Sequence, residues 1–148
     1  MKILNNPDKK KILAQLENQF NIRSLPFLIL QFGKEKYRLF SGSLSKEDLQ
    51  LLDRELRIEN IGLYFAKQQA DGLRLTLDSL TLFKPQITKN ILPINKQHSL
   101  KWLQGQDLDI QSDNNFKILE YNNELIGCGK STGERITNSI PKERRIKS

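Results

Sequence analysis

Apolar and polar residues follow a helical period near the start of the chain. Between Asp8 and Phe20 the apolar residues recur every three or four positions, which predicts an amphipathic helix with one buried side. Asn6 is a suitable N-cap for this helix, and Pro7 suits its first position. The buried side would be formed by Ile12, Leu13, Leu16 and Phe20.

Apolar runs further along the chain predict β-strands that pair as two antiparallel hairpins. The first turn lies at Gly33-Lys-Glu-Lys36. The second lies around Asp71-Gly72, a dipeptide typical of hairpins. The strands of the first hairpin are Phe27–Phe32 and Tyr37–Phe40, and those of the second are Ile61–Ala66 and Leu73–Leu80.

A second helix is predicted between the two hairpins. It follows Ser45, and Asp48 stands three residues later. This is an acidic form of the capping box, in which each side chain binds the backbone N–H of the other residue. The buried side of the helix would consist of Leu49, Leu52 and Leu56.

The last third of the chain predicts a short helix followed by strands. A connection with two prolines, from Lys84 to Gln97, leads into a helix over Ser99–Gln104 that ends at Gly105. From Phe116 onward the pattern predicts strands, and Asn122-Asn123 suits the positive φ angles of a two-residue turn. The order of helices and strand pairs indicates an α+β protein with mostly antiparallel pairing.

Composition narrows the class of protein. The 148 residues suit one domain or two small packed ones, and no run approaches the roughly 18 apolar residues of a membrane-spanning helix. The N-terminus has no apolar run typical of a signal peptide, and one cysteine cannot form an internal disulfide. We therefore expect an intracellular, cytoplasmic protein. Its 24 basic and 17 acidic residues, a net charge of +7, favour nucleic acid as partner, with an anionic membrane surface second.

The segment Gly127-Cys-Gly-Lys-Ser-Thr132 looks like the end of a phosphate-binding loop, but two features exclude that function. Where the motif requires its first glycine, the chain has Glu124, whose carboxylate would repel phosphate. The loop must also open a helix, whereas the residues after Gly133 alternate like a strand until Pro141. We therefore reject a nucleotide-hydrolysing enzyme.

No residues have the spacing of a catalytic or metal site. His98 is the single histidine, without cysteine or acid at ligand spacing. Cys128 lies between two glycines in a predicted strand, which favours a buried, unreactive thiol. Asp107 and Asp109 would share one side of a strand, which is more typical of a polar face than of a metal site. The sequence predicts no catalytic residue, metal or cofactor.

Gly127 and Gly129 leave one face of their predicted strand bare of side chains. A bare face marks either a sharp barrel bend or a place where another backbone approaches closely. We predict that an RNA backbone lies against it, and a barrel bend is a compatible alternative. Trp102 could stack on a base, although its burial is favoured.

Cationic residues follow the glycines. Folded as a hairpin and tail, they would form one positive surface opposed only by Glu134 and Glu143, with a merely solubilising tail as the alternative. Arginine can bind phosphate through two hydrogen bonds and stack on a base. The cations are Lys130, Arg135, Lys142, Arg144, Arg145 and Lys147.

The same region carries a family resemblance. It reads Trp102-Leu-Gln-Gly105-Gln-Asp107, then a hairpin ending Gly127-Cys-Gly-Lys130, then Arg135-Ile-Thr-Asn138-Ser-Ile-Pro141-Lys-Glu-Arg-Arg145. This resembles the PUA-like C-terminal region of the Fmu/Sun-type RNA cytosine-C5 methyltransferases. Asn60-Ile-Gly-Leu-Tyr-Phe65 and Gly72-Leu-Arg-Leu-Thr76 look like the region upstream of that domain, so the resemblance begins at about residue 60.

The resemblance implies a compact pseudo-barrel that binds structured RNA. It does not imply the methyltransferase reaction, because no glycine-rich cofactor loop follows a strand and the single cysteine does not follow a proline. We therefore expect no binding of S-adenosylmethionine. The residues that match the family pattern are Gly127, Gly129, Lys130, Asn138, Lys142, Arg144 and Arg145.

These observations predict an N-terminal α/β segment, residues 1–70, packed on a C-terminal PUA-like β-barrel, residues 71–148. The predicted function is non-catalytic docking on ribosomal or transfer RNA, in RNA modification or ribosome assembly. Lys130, Lys142, Arg144 and Arg145 would contact phosphates, and Asn138 would be a structural or base-edge hydrogen bonder. A separate RNA methyltransferase subunit is a candidate partner. The alternative is a protein-interaction scaffold whose basic tail binds an acidic partner.

Overall fold

Two β-sheets and the helices packed on them form the protein. A computed structural model describes residues 1–41, 45–56 and 62–147, except for the side chains of residues 52–56. Within these ranges four α-helices accompany the sheets, which confirms the predicted α+β class. No helix of the described ranges is long and apolar enough to cross a membrane.

The first sheet is antiparallel, and its strands lie side by side in chain order. Both predicted hairpins are confirmed, and a short strand from the N-terminus is added at one edge. The register shifts between Tyr37 and Arg38, where a β-bulge interrupts the pairing with the fourth strand. The strands are β1 (Lys2–Ile3), β2 (Leu28–Phe32), β3 (Lys36–Phe40), β4 (Leu63–Gln69) and β5 (Gly72–Leu75).

The second sheet has the strand order β6-β7-β8-β9, comprising β6 (Ile91–Pro93), β7 (Phe116–Tyr121), β8 (Glu124–Ser131) and β9 (Ile136–Thr137). The turn at Asn122-Asn123 is confirmed, with φ angles of 50° and 63°. β6 lies in the connection that we predicted as a loop, and it pairs in parallel with β7. Pro93 is compatible with this pairing because β6 is an edge strand.

The first helix, α1 (Asn6–Phe20), begins two residues earlier than predicted. Its N-cap is Asn5, whose side-chain oxygen accepts the N–H of Asp8 at 2.9 Å, and not Asn6. The helix ends at Phe20 and is capped by Asn21, which adopts a left-handed φ of 63° and donates its N–H to carbonyls of the last turn.

The cap at Asn5 can be tested by a paired substitution. Asn5→Ala should lower the unfolding free energy by about 1 kcal/mol, since it leaves the Asp8 N–H without its acceptor. Asn6→Ala, one residue further on, should change it by less than about 0.5 kcal/mol. Urea unfolding followed by circular dichroism measures both. Equal losses would contradict the assignment.

The second helix, α2 (Lys46–Leu56), has the predicted capping box. The N–H of Asp48 lies 3.1 Å from the Ser45 hydroxyl, and the N–H of Ser45 lies 3.4 Å from the Asp48 carboxylate. Leu49 is buried as predicted. The side chains predicted to be buried with it, Leu52 and Leu56, lie outside the described residues.

The run predicted as a strand over Leu73–Leu80 contains a strand and a helix. β5 ends at Leu75, and α3 (Leu77–Phe83) begins after Thr76. The carbonyl of Thr76 accepts the backbone N–H and the hydroxyl of Ser79, at 3.2 and 2.8 Å, which closes the first helical turn. A short apolar run is compatible with either element, so the sequence pattern did not separate them.

The last helix, α4 (Lys96–Leu103), is the predicted short helix with an earlier start. Asn95 caps it by accepting the N–H of His98 at 2.8 Å. The helix lies beside the second sheet because Trp102, on its last turn, is fully buried there.

Most buried apolar side chains of the described residues belong to one of two clusters. The larger joins α1, the first sheet and α3 to Phe116, Ile118 and Cys128 on one face of the second sheet. The smaller lies on the other face of that sheet, and its fully or nearly fully buried members are Trp102, Leu108, Leu119, Ile136 and Ile140. The second sheet is therefore covered on both faces.

The two predicted segments share the larger cluster. The division at residue 70 stays a prediction. β5 (Gly72–Leu75) still pairs with β4, so the first sheet extends past residue 70 and ends at Leu75.

Candidate nucleic-acid interface

Trp102 covers the two glycines of β8. A Cβ atom built on Gly127 would lie 2.8 Å from Cζ2 of the indole, and one on Gly129 would lie 2.8 Å from Cη2. The indole is fully buried, and its Nε1 donates a 2.9 Å hydrogen bond to the carbonyl of Ile126. The glycines thus let the tryptophan reach the backbone of β8.

This packing corrects the expectation that an RNA backbone lies against Gly127 and Gly129. Both glycines are buried, and an indole of the same chain already occupies the face that lacks side chains. The favoured burial of Trp102 is confirmed. The close approach that the glycine pair indicated is therefore internal to the protein.

Lys130 lies on the opposite face of β8 from the glycines. It is paired with Phe116 on β7. Because alternate residues of a strand point to the same face, Lys130 and Cys128 lie on one face of β8, which is the face of the larger cluster. Its ammonium lies 2.7 Å from the Asp71 carboxylate and 5.1 Å from the centroid of the Phe116 ring. The hydrogen bond from Lys130 lowers the pKa of Asp71 below its ordinary value. Lys130 therefore links β8 to the turn between β4 and β5.

Arg135 and Asn138 hold the end of the chain against the loop after α4. Arg135 Nε lies 3.2 Å from Oδ1 of Asp109, and both side chains are exposed. The Asn138 amide donates to the carbonyls of Trp102 and Gln106, at 2.8 and 2.9 Å. Of the two roles that we considered for Asn138, these bonds support the structural one.

The last residues lie as an exposed turn beside α4. A 3₁₀ turn spans Lys142–Arg144, and the N–H of Ile146 donates to the carbonyl of Leu103 at 2.9 Å. The Arg145 side chain lies over Gly105, where a Cβ atom would be 2.8 Å from its guanidinium carbon. These contacts fix the backbone of the turn while leaving its side chains exposed.

Three cations project from this turn, and we call Lys142, Arg144 and Arg145 the tail surface. Arg144 Nη1 lies 2.9 Å from Oδ1 of Asp78, and Arg145 Nε donates to the carbonyl of Ile140 at 3.1 Å. Among the described residues, neither Lys142 nor Arg145 has a carboxylate within ion-pair distance. The tail surface therefore retains positive charge that the chain does not neutralise.

The predicted cations do not form one continuous surface. Lys130 binds Asp71, directly before β5, whereas Arg144 binds Asp78, after the same strand. A strand of four residues spans about 13 Å, so the two contacts lie well apart. The tail surface is the part of the predicted site that the structure brings together.

Cys128 and Asp107, two of the residues that we considered for catalysis or metal binding, are engaged in contacts within the protein. Cys128 is buried as predicted, and burial raises the pKa of its thiol to about 12. Asp107 accepts the backbone N–H of Asn138 at 2.8 Å. In the described part of the chain, no three His, Cys, Asp or Glu side chains lie close enough to hold a metal ion.

Comparison with known proteins agrees with this arrangement. Residues 89–146, which include α4, β6 to β9 and the tail surface, match the family model described as the methyltransferase RsmF PUA domain. The chain carries a PUA-like domain. The predicted resemblance to the C-terminal region of RNA methyltransferases is thereby confirmed, and the preceding helices and the first sheet lie outside the matched residues.

Relatives named ribosomal RNA small subunit methyltransferase F match more of the chain. The protein of Psychromonas ingrahamii is 27% identical over 93% of this chain and 29% of its own length. That of Shewanella woodyi is 25% identical over 94% of this chain and 28% of its own length. The chain thus spans less than a third of the length of the curated relatives it matches. The similarity also covers the segment before the PUA-like domain.

Sequence reasoning missed a group of cations outside the PUA-like domain. Lys36, Lys67 and Arg74 lie directly opposite one another on β3, β4 and β5. Each of these cations stands next to a buried apolar residue in its strand, and this alternation can be seen in the sequence. The register that aligns the three strands was not predictable, because it depends on the β-bulge after Tyr37.

Proposed function

We propose that this chain is an RNA-binding module that docks on structured ribosomal RNA during RNA modification. The observation that carries the proposal is the match of residues 89–146 to a PUA domain of RNA methyltransferases. The relatives are named for ribosomal RNA, which favours it over transfer RNA as the partner. An RNA partner of this kind also favours the cytoplasm as location.

The tail surface is the proposed RNA contact of the PUA-like domain. Lys142 and Arg145 lack carboxylate partners among the described residues, and Arg144 has an exposed one that phosphate can replace. The N–H of Ile146 and the side-chain Nε of Arg145 donate to backbone carbonyls, and these bonds hold the turn and its cations in place before RNA binds. Such preorganisation reduces the entropy lost on binding.

We further propose that the chain acts by docking and not by catalysis. Cys128 is buried with a raised pKa, and residues 89–146 match a PUA domain of the methyltransferase. A methyltransferase catalytic unit that acts on the docked RNA is the proposed partner. Transfer of label from S-adenosylmethionine to RNA by this chain alone would contradict the proposal.

The tail surface is tested with the double variant Lys142→Ala/Arg145→Ala and a labelled ribosomal RNA hairpin. We expect affinity at about 0.1 M salt to fall on the order of tenfold or more, because two phosphate contacts are lost. The dependence of log affinity on log salt should become less steep by about 0.9 per lost contact. Fluorescence anisotropy over a salt series measures both quantities.

The matched control removes two exposed lysines from α1, as Lys10→Ala/Lys11→Ala, with the same change in net charge. It should leave the salt dependence nearly unchanged. An equal loss in both double variants would indicate a response to net charge alone and contradict the tail surface. Absence of RNA binding by the unmodified chain at low salt would favour the alternative, a scaffold that binds an acidic protein.

A further inference from the structure

The first sheet carries a row of cations across neighbouring strands. Lys36 is paired with Lys67, and Lys67 is paired on its other side with Arg74. Strands lie about 4.8 Å apart, so the backbone positions of these three cationic residues span roughly 10 Å. We call Lys36, Lys67 and Arg74 the cation row.

The cation row points away from the larger hydrophobic cluster. The next residues along the three strands are Tyr37, Ala66 and Leu75, which are buried in that cluster. Successive strand residues point to opposite faces, so the row lies on the face of the sheet turned away from that cluster, which we call the outer face. Lys36 is exposed, and Lys67 and Arg74 are partly exposed.

Like charges directly opposite on neighbouring strands destabilise a sheet. Among the described residues, the only carboxylate at ion-pair distance from the row is Glu35, whose oxygen lies 3.7 Å from Lys67 Nζ and is itself exposed. Lys36 and Arg74 have no such partner in that part of the chain. The row is therefore a concentrated positive charge that an external anion would stabilise.

Aromatic rings lie on the same face, next to the cations. Phe32 on β2 is paired with Lys36, the first residue of the row. Tyr64 on β4 is paired with Arg38, which lies two residues after Lys36 on β3. The Arg38 guanidinium lies 5.6 Å from the Phe32 ring and 5.8 Å from the Tyr64 ring. Both rings are partly exposed, and Lys36 Nζ also lies 5.8 Å from the Tyr64 centroid, so a stacking base would share each ring with a cation.

We propose that this outer face binds a single-stranded segment of RNA. The cation row would contact successive phosphates, and the Tyr64 and Phe32 rings would stack on bases. A strand surface with partly exposed rings beside cations is suited to unpaired bases, whose faces and edges are accessible, and a duplex hides its bases from such a surface. This proposal does not depend on the tail surface, which lies in the other sheet's domain.

Other occupants fit less well. A membrane surface fits this face less well. Insertion into a membrane requires a broad apolar face, whereas here two partly exposed rings lie beside a row of charges. An acidic protein would be attracted to the charges but gives no role to the rings. RNA uses both features, because it combines a chain of phosphates with stacking bases.

The test uses the full chain and a labelled oligouridylate of about twelve nucleotides, which forms no duplex. The double variant Lys36→Gln/Arg74→Gln should weaken binding on the order of tenfold at about 0.1 M salt, and reduce the salt dependence by about 0.7 per lost contact. Tyr64→Leu should weaken binding by a further factor of about five to ten and leave the salt dependence unchanged, because stacking releases no counterions.

A thermal unfolding measurement separates this proposal from a simple loss of structure. Relief of like-charge repulsion should leave the unfolding temperature of Lys36→Gln/Arg74→Gln equal or higher without RNA. The control variants are Lys10→Gln/Lys11→Gln on α1, which packs on the other face of the sheet, and the tail variant Lys142→Ala/Arg145→Ala. Both should bind oligouridylate like the unmodified chain.

The outcomes distinguish the two RNA proposals. We call Lys36→Gln/Arg74→Gln the sheet variant. If it binds oligouridylate more weakly than the unmodified chain but binds the hairpin equally well, the result supports RNA binding by the outer face, whatever the tail variant shows. Unchanged oligouridylate binding by the sheet variant overturns the inference, as does an equal loss in the α1 control. Loss of hairpin binding in the tail variant alone tests the proposed function and leaves the outer face to be judged by its own variant.

Discussion

Replacing Trp102 with alanine should lower the unfolding free energy by about 3–5 kcal/mol, the range for removing a large aromatic side chain from a core. Trp102 is fully buried and is the largest side chain of the smaller cluster. Its removal leaves a cavity between α4 and β8, and the carbonyl of Ile126 loses the 2.9 Å hydrogen bond from the indole. The bare glycines cannot fill that space.

The matched control is Leu100→Ala, two residues earlier on α4. Leu100 is 44% exposed, so its truncation should change the unfolding free energy by less than about 0.5 kcal/mol. Guanidinium unfolding of both variants measures the difference. A loss of less than about 1 kcal/mol for Trp102→Ala would contradict the central role of the indole in the second sheet.

The elements that could be predicted from sequence are those with a local cause. The turn at Asn122-Asn123 and the capping box of Ser45 and Asp48 depend on residues a few positions apart, and both are present. β6 depends instead on a distant partner, since β7 supplies its hydrogen bonds. No local pattern identifies such a strand in a connection that contains prolines.

The candidate site shows the same limit. The sequence identified Gly127 and Gly129 as a bare strand face but did not identify what fills it, because Trp102 comes from a helix more than twenty residues earlier. The cation row was missed for a related reason. Three strands align Lys36, Lys67 and Arg74 only through their register, which a β-bulge shifts.

Gly127→Ala should lower the unfolding free energy by about 1–3 kcal/mol, the usual effect of adding a methyl group to a filled core. The three atoms nearest to the added Cβ all belong to the Trp102 indole, among them Cε2 and Cζ2 at 2.8 Å. The ring cannot withdraw easily because it is fully buried and hydrogen-bonded to Ile126. Gly127 also has a φ of 157°, which disfavours any residue with a Cβ atom, so the destabilisation depends on the tryptophan and on the backbone conformation.

A double-mutant cycle tests that dependence. In the Trp102→Ala background, Gly127→Ala should cost less by on the order of 1 kcal/mol, because the indole atoms that it meets are gone and only the strain of the φ of 157° remains. Gly129→Ala is the contrast. Its Cβ would also lie 2.8 Å from the carbonyl oxygen of Thr137, so the same background should not rescue it. Equal costs of Gly127→Ala in the two backgrounds would show that the backbone of β8, and not Trp102, requires the glycine.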